Sequence, residues 1–246
     1  MTKHASNTRR GPASAEDAAL ARGLVLHEDA HILVFNKPSG ISVQGGSGVE
    51  RSLEDLLAVF AKSNGKQPRL VHRLDRETSG VIVTARTKPA AAFLSDAFAG
   101  RQVDKTYLAI VCGGAPAPPA GDISLALKKS SRRGLDIMEA GFDGQPALTH
   151  YRTLAAAGAA ALVELKPETG RMHQLRAHLA AIGRPIAGDG KYGGLYRIGE
   201  TEIPRLMLHA ASLDLPHPAG GRVCFRAPPP PAFEAAAAAL GLQSQA

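Results

Sequence analysis

The apolar positions of this chain fall into short runs broken by glycine, proline and small polar residues, and most of the runs read as strands. "GLVLHEDAHILVFNKPSGISV", 23–43, alternates and then runs apolar. That predicts a hairpin turning at "HEDA", 27–30, and ended by Pro38 and Gly40. "GVIVTART" and "DKTYLAIVCG" are rich in β-branched and aromatic residues and read as further strands. "ALTHYRTLAAAGAAALVELKP" reads as two strands around an Ala-Gly turn, and "RLMLHAASLDLPHP" with "RVCFRAP" as a closing pair. Helical spacing appears in four places. Ser52 is an N-cap with Asp55 in the capping-box position ahead of an apolar run. "KPAAAFLSDAFAG" puts Phe93, Leu94, Ala97 and Phe98 on one face and stops at Gly100. "MHQLRAHLAAIG" ends at Gly183 before Pro185, and an alanine-rich helix follows the proline run near the C-terminus. Strands outnumber helices and come in hairpins, so the fold class is α+β around a mixed, largely antiparallel sheet. Residues 1–22 are small, polar and scattered in charge and read as a flexible arm, leaving one folded domain over 23–242.

Composition narrows the classes. The chain has 246 residues, 44% of them hydrophobic, enough for a full-sized core. No apolar run reaches the ~18–20 residues of a membrane span, and the N-terminus lacks the apolar stretch of a secretory signal, so a soluble cytoplasmic protein is expected. Two cysteines are too few for a disulfide framework and read as free thiols. The net charge is +7 and uneven: nine Lys/Arg face four Asp/Glu between Lys62 and Lys105, and "KKSSRR" adds Lys128, Lys129, Arg132 and Arg133 with no acid. Clustered positive charge suits a phosphate backbone. With 4% aromatics and no Trp, a folded nucleic acid fits better than a stacked single strand. The glycine-rich "GGSG" after Gln44 lacks the Lys-Ser/Thr of a phosphate loop and reads as a turn.

"VHRLDRETSG", 71–80, is the most unusual stretch. One carboxylate, Asp75, lies between Arg73 and Arg76 at the edge of a predicted strand. Neighbouring cations favour the ionised form, and an ionised carboxylate serves as a nucleophile or a stabiliser of positive charge rather than as a proton donor. A structural ion pair holding the loop is the plainer reading of such an Asp. A second polar cluster shifts the balance: "PETGRMHQLRAH" opens a helix with Arg171, His173, Arg176 and His178, a helix start suited to phosphate, with Arg176 free to reach a carboxylate. His173 and His178 are five apart and lack the companion glutamate of a zinc motif, so the histidines read as hydrogen-bonded side chains, not metal ligands.

Four stretches, "NKPSGISV", "HRLDRETSG", "DKTYLAIV" and "TGRMHQLRAHLAAIGRPIAGDGKYG", followed by "LMLHAASL", together resemble the RluA-type pseudouridine synthases over nearly the whole chain, from Leu24 to Ala227. That family isomerises uridine to pseudouridine in ribosomal or transfer RNA. The resemblance implies a bent, mixed, largely antiparallel sheet with outer helices, no cofactor and no metal. It implies Asp75 as the catalytic aspartate, Tyr107 packed on the target base and acting as a base in proton abstraction, and Arg176 paired with Asp75. Arg73 would displace the uridine from its stack and Leu208 would line the apolar wall. His72, Lys37 and Arg171 join Lys128, Lys129, Arg132 and Arg133 as expected RNA contacts. Many relatives carry an N-terminal S4 RNA-binding domain; the 22 residues ahead of the first strand are too few for one, so RNA affinity is expected to rest on the basic face. Large-subunit ribosomal RNA is the expected partner and tRNA the alternative, bound by a monomer. A non-catalytic assembly factor is the rival reading, opposed by Asp75, Tyr107 and Arg176 occurring together.

Overall fold

The computed structural model describes residues 14–46, 51–132 and 134–243, without the side chain of Arg132. One mixed sheet organises the chain. Its path begins with β1 (Val25–Glu28) and β2 (Ile32–Lys37), the predicted hairpin. Next comes the seven-residue β4 (Ser79–Ala85), which also carries the short β3 (Arg69–Leu70). Beside β4 lies β13 (Leu208–Pro216), arriving from the far end of the chain and continued by β14 (Arg222–Arg226). The path then runs through β5 (Asp104–Cys112), β10 (Ala160–Pro167), β9 (Leu148–Ala157) and β6 (Ala120–Ser124). Every pairing on it is antiparallel except β4 with β13, where His209 faces Ser79 and Ala210 faces Gly80. Two small ribbons stand apart: β7 (Leu127–Arg132) with β8 (Leu135–Ala140), and β11 (Arg197–Ile198) with β12 (Thr201–Glu202).

The parallel junction explains the glycine that ends "HRLDRETSG". Gly80 has φ +120°, and a Cβ there would collide with the Ala210 carbonyl and lie 2.6 Å from the Ala210 nitrogen. Only a residue without a side chain lets β4 and β13 approach this closely. His209 fastens the same seam: its Nε2–H donates to the Ala227 carbonyl at 3.0 Å, and its Nδ1 accepts from the Ser79 hydroxyl at 3.0 Å.

Two apolar cores flank the seam. The first packs α1 (Ala15–Gly23), α2 (Leu53–Leu56), a 3-10 turn (Leu57–Phe60) and α3 (Lys88–Ala99) against β2 and β4, burying Phe35, Leu53, Ile82 and Leu94. The second packs α4 (Gln174–Ala181) and α5 (Pro231–Ala239) against β5, β9 and β10, burying Ile110, Leu165, Leu179 and Phe233. Each such side chain contributes ~1.5–3 kcal/mol of burial. Tyr107 of β5 packs against both cores and so sits between them.

Two expectations need correction. The stretch read as a flexible arm is helical from Ala15: Ser14 and Asp17 form a reciprocal capping box, the run is alanine-rich, and Ala21, Leu20 and Leu24 pack into the first core. Residues 1–13 of that arm lie outside the described residues. In α3 it is Ala90, Leu94 and Ala97 that are buried, whereas Phe93 is exposed and Phe98 turns toward His72. The Ser52–Asp55 capping box is present as read, although the helix it starts tightens into the 3-10 turn after one turn.

Candidate active site

The loop from Val71 to Thr78 delivers Asp75 to the seam between the cores. Asp75 begins a tight turn, its carbonyl accepting the Thr78 amide at 3.1 Å, a position where aspartate is favoured. The "NKPSG" segment staples this turn from behind. Ser39 Oγ donates to the Glu77 carbonyl at 2.7 Å, and the Gly40 amide to the Arg76 carbonyl at 2.9 Å. Lys37 is fully buried here, its Nζ donating to the carbonyls of Ile41, Pro38 and Arg76 at 2.8, 2.9 and 3.1 Å. This corrects the expectation that Lys37 contacts RNA: an ammonium with all three donors used inside the fold holds the Asp75 loop. Burial pushes its pKa down to about 7 against the pull of Glu77 and then Asp75, so its charge is sensitive to the integrity of that cage.

The flanking arginines do not pair with Asp75. Arg76 Nε turns back to the Gly40 carbonyl at 3.0 Å, and Arg73 is exposed at the pocket rim. The charge partner arrives from α4, where Arg176 Nη1 reaches Asp75 Oδ2 at 3.4 Å. Arg176 is itself fixed by a bidentate pair with Asp189, Nε to Oδ2 and Nη2 to Oδ1, both at 2.7 Å, and its guanidinium lies 5.1 Å from the centre of the Tyr192 ring. Asp189 is buried and also accepts the Lys191 amide at 3.2 Å. One cation thus serves two carboxylates, and the trio keeps a net negative charge centred on the more exposed Asp75.

The start of α4 is set by Gln174. Its Oε1 accepts from the Thr169 hydroxyl at 2.6 Å and the Arg171 amide at 3.1 Å, and its Nε2 donates to the Leu148 carbonyl and Thr149 Oγ1, both at 3.0 Å. A buried amide with every site used locks the "TGRMHQ" turn to β9. His178, one turn on, is engaged with Thr149 Oγ1 and the Leu125 carbonyl, each at 3.0 Å.

A pocket of ≈ 750 Å³ opens over Asp75. It brings together His72, Arg73, Asp75, Tyr107, Arg171, Arg176 and Leu208 from the sequence reading. Tyr107 and Leu208 supply its apolar floor; burial, and then the charge of Asp75, push the Tyr107 hydroxyl well above its ordinary range, so the ring is a neutral phenol. His72 stacks on Phe98 with ring centres 4.3 Å apart and accepts the Val83 amide at 3.0 Å through Nε2. Burial, and secondarily Lys105, push it down to about 3, so it too is neutral. Around the rim stand Arg73, Arg101, Lys105 and Arg171. Arg101 holds a left-handed backbone at φ +57°, and Lys105 donates to the Thr169 carbonyl at 3.3 Å.

Arg101, Lys105, Asp189 and Tyr192 escaped the sequence reading. The first two belong to the basic surplus already counted; the last two lie in "GDGKYG", a quoted stretch that names no partner for Arg176. Of the "KKSSRR" bases, Lys128 and Lys129 lie elsewhere, on β7. Lys128 pairs with Asp143 at 3.1 Å and Lys129 with Asp136 at 2.8 Å, and neither lines the pocket. Arg133 and the Arg132 side chain lie outside the described residues.

A neutral aromatic and a leucine beside a carboxylate, with cations at the rim, suit a planar uncharged ring carried on an anionic backbone. Residues 31–181 match the family described as RNA pseudouridylate synthase. The chain is 39% identical over 212 residues to the ribosomal large subunit pseudouridine synthase C of Escherichia coli (strain K12), covering 84% of this chain and 66% of that protein. It is 36% identical over 220 residues to the ribosomal large subunit pseudouridine synthase D of Xanthomonas campestris pv. campestris, again 84% and 66%. It thus spans just under two thirds of the length of these curated relatives. Among solved structures, human RNA pseudouridylate synthase domain containing 4 superposes with a TM-score of 0.79 at 31% identity, covering 93% of this chain and 98% of that one. The chain belongs to the RNA pseudouridylate synthase family.

Proposed function

We propose that this protein converts uridine to pseudouridine in large-subunit ribosomal RNA, using Asp75 and no cofactor. The observation that carries the reading is the placement of the Asp75 carboxylate, backed by Arg176, beside Tyr107 and Leu208 in one pocket. Isomerisation breaks the N1–C1′ bond, turns the base, joins C1′ to C5, and moves the C5 hydrogen off as N1 gains one. The carboxylate stabilises the positive charge that grows at C1′ as N1 leaves. Tyr107, neutral and packed between both cores, lies against the face of the base. Leu208 helps exclude water so that the detached uracil stays put. C5 cannot be reached within a stack, so the nucleotide must swing out of the RNA, and Arg73, which lines the pocket, fills the space it leaves.

The ribosomal substrate is supported by the names of the bacterial relatives, and that substrate implies a cytoplasmic site of action. The rim bases Arg73, Arg101, Lys105 and Arg171 supply phosphate contacts beside the pocket. The test is deletion of the gene in its host followed by mapping of carbodiimide-dependent primer-extension stops. Loss of one or more stops in large-subunit ribosomal RNA is expected; loss confined to tRNA moves the substrate, and an unchanged map overturns the reading.

A further inference from the structure

His173 also lines the pocket, and its backbone is unusual. It caps α4 in the left-handed region, φ +50° and ψ +21°, without using its side chain as a cap. A non-glycine residue held there is uncommon and points to a local requirement. The conformation brings the imidazole into the space between Asp75 and Tyr192. Its Nδ1 lies 3.0 Å from the Tyr192 hydroxyl and its Nε2 lies 3.9 Å from Asp75 Oδ2.

One tautomer gives every hydrogen-bonding atom of this group a partner. The Met138 amide of β8 can only donate, and it does so to the Tyr192 oxygen at 2.7 Å. The single hydroxyl hydrogen of Tyr192 then has its acceptor at His173 Nδ1. A neutral ring accepting at Nδ1 carries its proton on Nε2, and Nε2 is the nitrogen that faces the carboxylate. At 3.9 Å the contact is electrostatic; a movement of about 1 Å makes it a hydrogen bond, and such contacts commonly tighten when substrate binds. Oδ2 then receives both Arg176 Nη1 and His173 Nε2, which leaves Oδ1 to the ribose.

We propose that His173 is a positioning residue for Asp75, held as its Nε2–H tautomer by Tyr192 and the Met138 amide. The inference rests on the isomerase reading above. Burial, and secondarily Arg176 and Lys191, lower the His173 pKa against the pull of Asp75 and Asp189, so the neutral ring prevails at neutral pH. Asp136 of β8 and Tyr192 also face it. Protonation puts a hydrogen on Nδ1 as well and opposes the Tyr192 hydroxyl, so acid disrupts the arrangement.

The experiment measures single-turnover tritium release from ribosomal RNA labelled at uridine C5, taken from a strain lacking the gene, across pH 5–8. Wild type is compared with His173→Ala, His173→Gln and Tyr192→Phe, and RNA affinity is recorded for each. His173→Ala should slow the bound step by ~10²-fold, the scale of a mispositioned catalytic group, with affinity unchanged. His173→Gln puts an amide N–H where Nε2–H stood and should recover most of the rate, with the His173-dependent acid limb gone. Tyr192→Phe removes the hydroxyl from which Nδ1 of the neutral ring accepts, so its acid limb should move to higher pH. An active wild type matched in rate by His173→Ala overturns the inference, as does a glutamine variant no faster than alanine or an unmoved limb in Tyr192→Phe. A wild type that releases no tritium overturns the isomerase reading itself.

Discussion

Asp75 and Arg176 are 101 residues apart in the chain and 3.4 Å apart in the fold, and the guanidinium that joins them makes its two shorter bonds, 2.7 Å each, to Asp189. Arg176 is therefore both the charge partner of Asp75 and the neutraliser of a buried acid. Arg176→Met should cost ~3–5 kcal/mol of stability, because Asp189 is left buried and unpaired. Adding Asp189→Leu should return much of that stability without returning activity. Urea denaturation of the two variants checks this; a single variant as stable as wild type would contradict the pairing.

Gly80→Ala should be among the most damaging single-methyl additions in the protein. The new Cβ meets the Ala210 backbone on β13, which cannot move without breaking the β4–β13 junction under the pocket. Overpacking of this kind costs ~1–3 kcal/mol or more, and the left-handed φ adds strain. A thermal melt within error of wild type would show that the junction is more yielding than its geometry implies.

His72 gives a pH signature. Its pKa is held near 3 in the fold by burial, against about 6.5 for a free histidine. Between those values the unfolded chain binds a proton that the folded one does not, so this residue's contribution falls as pH drops from about 6.5 toward 3 and is constant above 6.5. The slope is at most about 1.4 kcal/mol per pH unit. His72→Gln keeps an acceptor for the Val83 amide and removes the titration. The difference in stability between wild type and variant should therefore shift steadily over that window; a constant difference from pH 7 to pH 4 would show that His72 titrates normally.

The rim bases and the ribbon bases should differ in salt dependence. Arg73, Arg101 and Arg171 border the pocket, whereas Lys128 and Lys129 already pair with Asp143 and Asp136. Each rim substitution to alanine should lower the slope of log affinity against log salt by roughly 0.7–0.9, the value for one lost phosphate contact. Lys128→Ala and Lys129→Ala should change it less. Filter-binding titrations over a salt series decide, and the reverse order would move the RNA path onto the ribbon.

Local pattern carried much of this fold. Strand alternation, the Ser52 cap and the glycine stops are written in neighbouring residues, and they appear where the pattern puts them. The family stretches also drew attention to side chains that the fold gathers around one pocket, among them Asp75, Tyr107, Arg176 and Leu208. What pattern could not carry is tertiary pairing. Arg73 and Arg76 flank Asp75 in sequence yet neither pairs with it, and Asp189 holds Arg176 from a loop with no helical or strand period to mark it. Lys37 looked like a surface base because a lysine's burial depends on carbonyls supplied by Ile41 and Arg76, visible only once the loops meet. The helix at Ala15 was missed for a related reason: a short polar-looking run is stabilised by its cap and by packing on the first core.

The central claim is that the Asp75 carboxylate performs the isomerisation, and tritium release from uridine labelled at C5 tests it most directly. With ribosomal RNA from a strain lacking the gene, wild type should release tritium as pseudouridine forms. Asp75→Ala and Asp75→Asn should release none above background while binding the same RNA with wild-type affinity. Release at the wild-type rate from either variant would contradict the account.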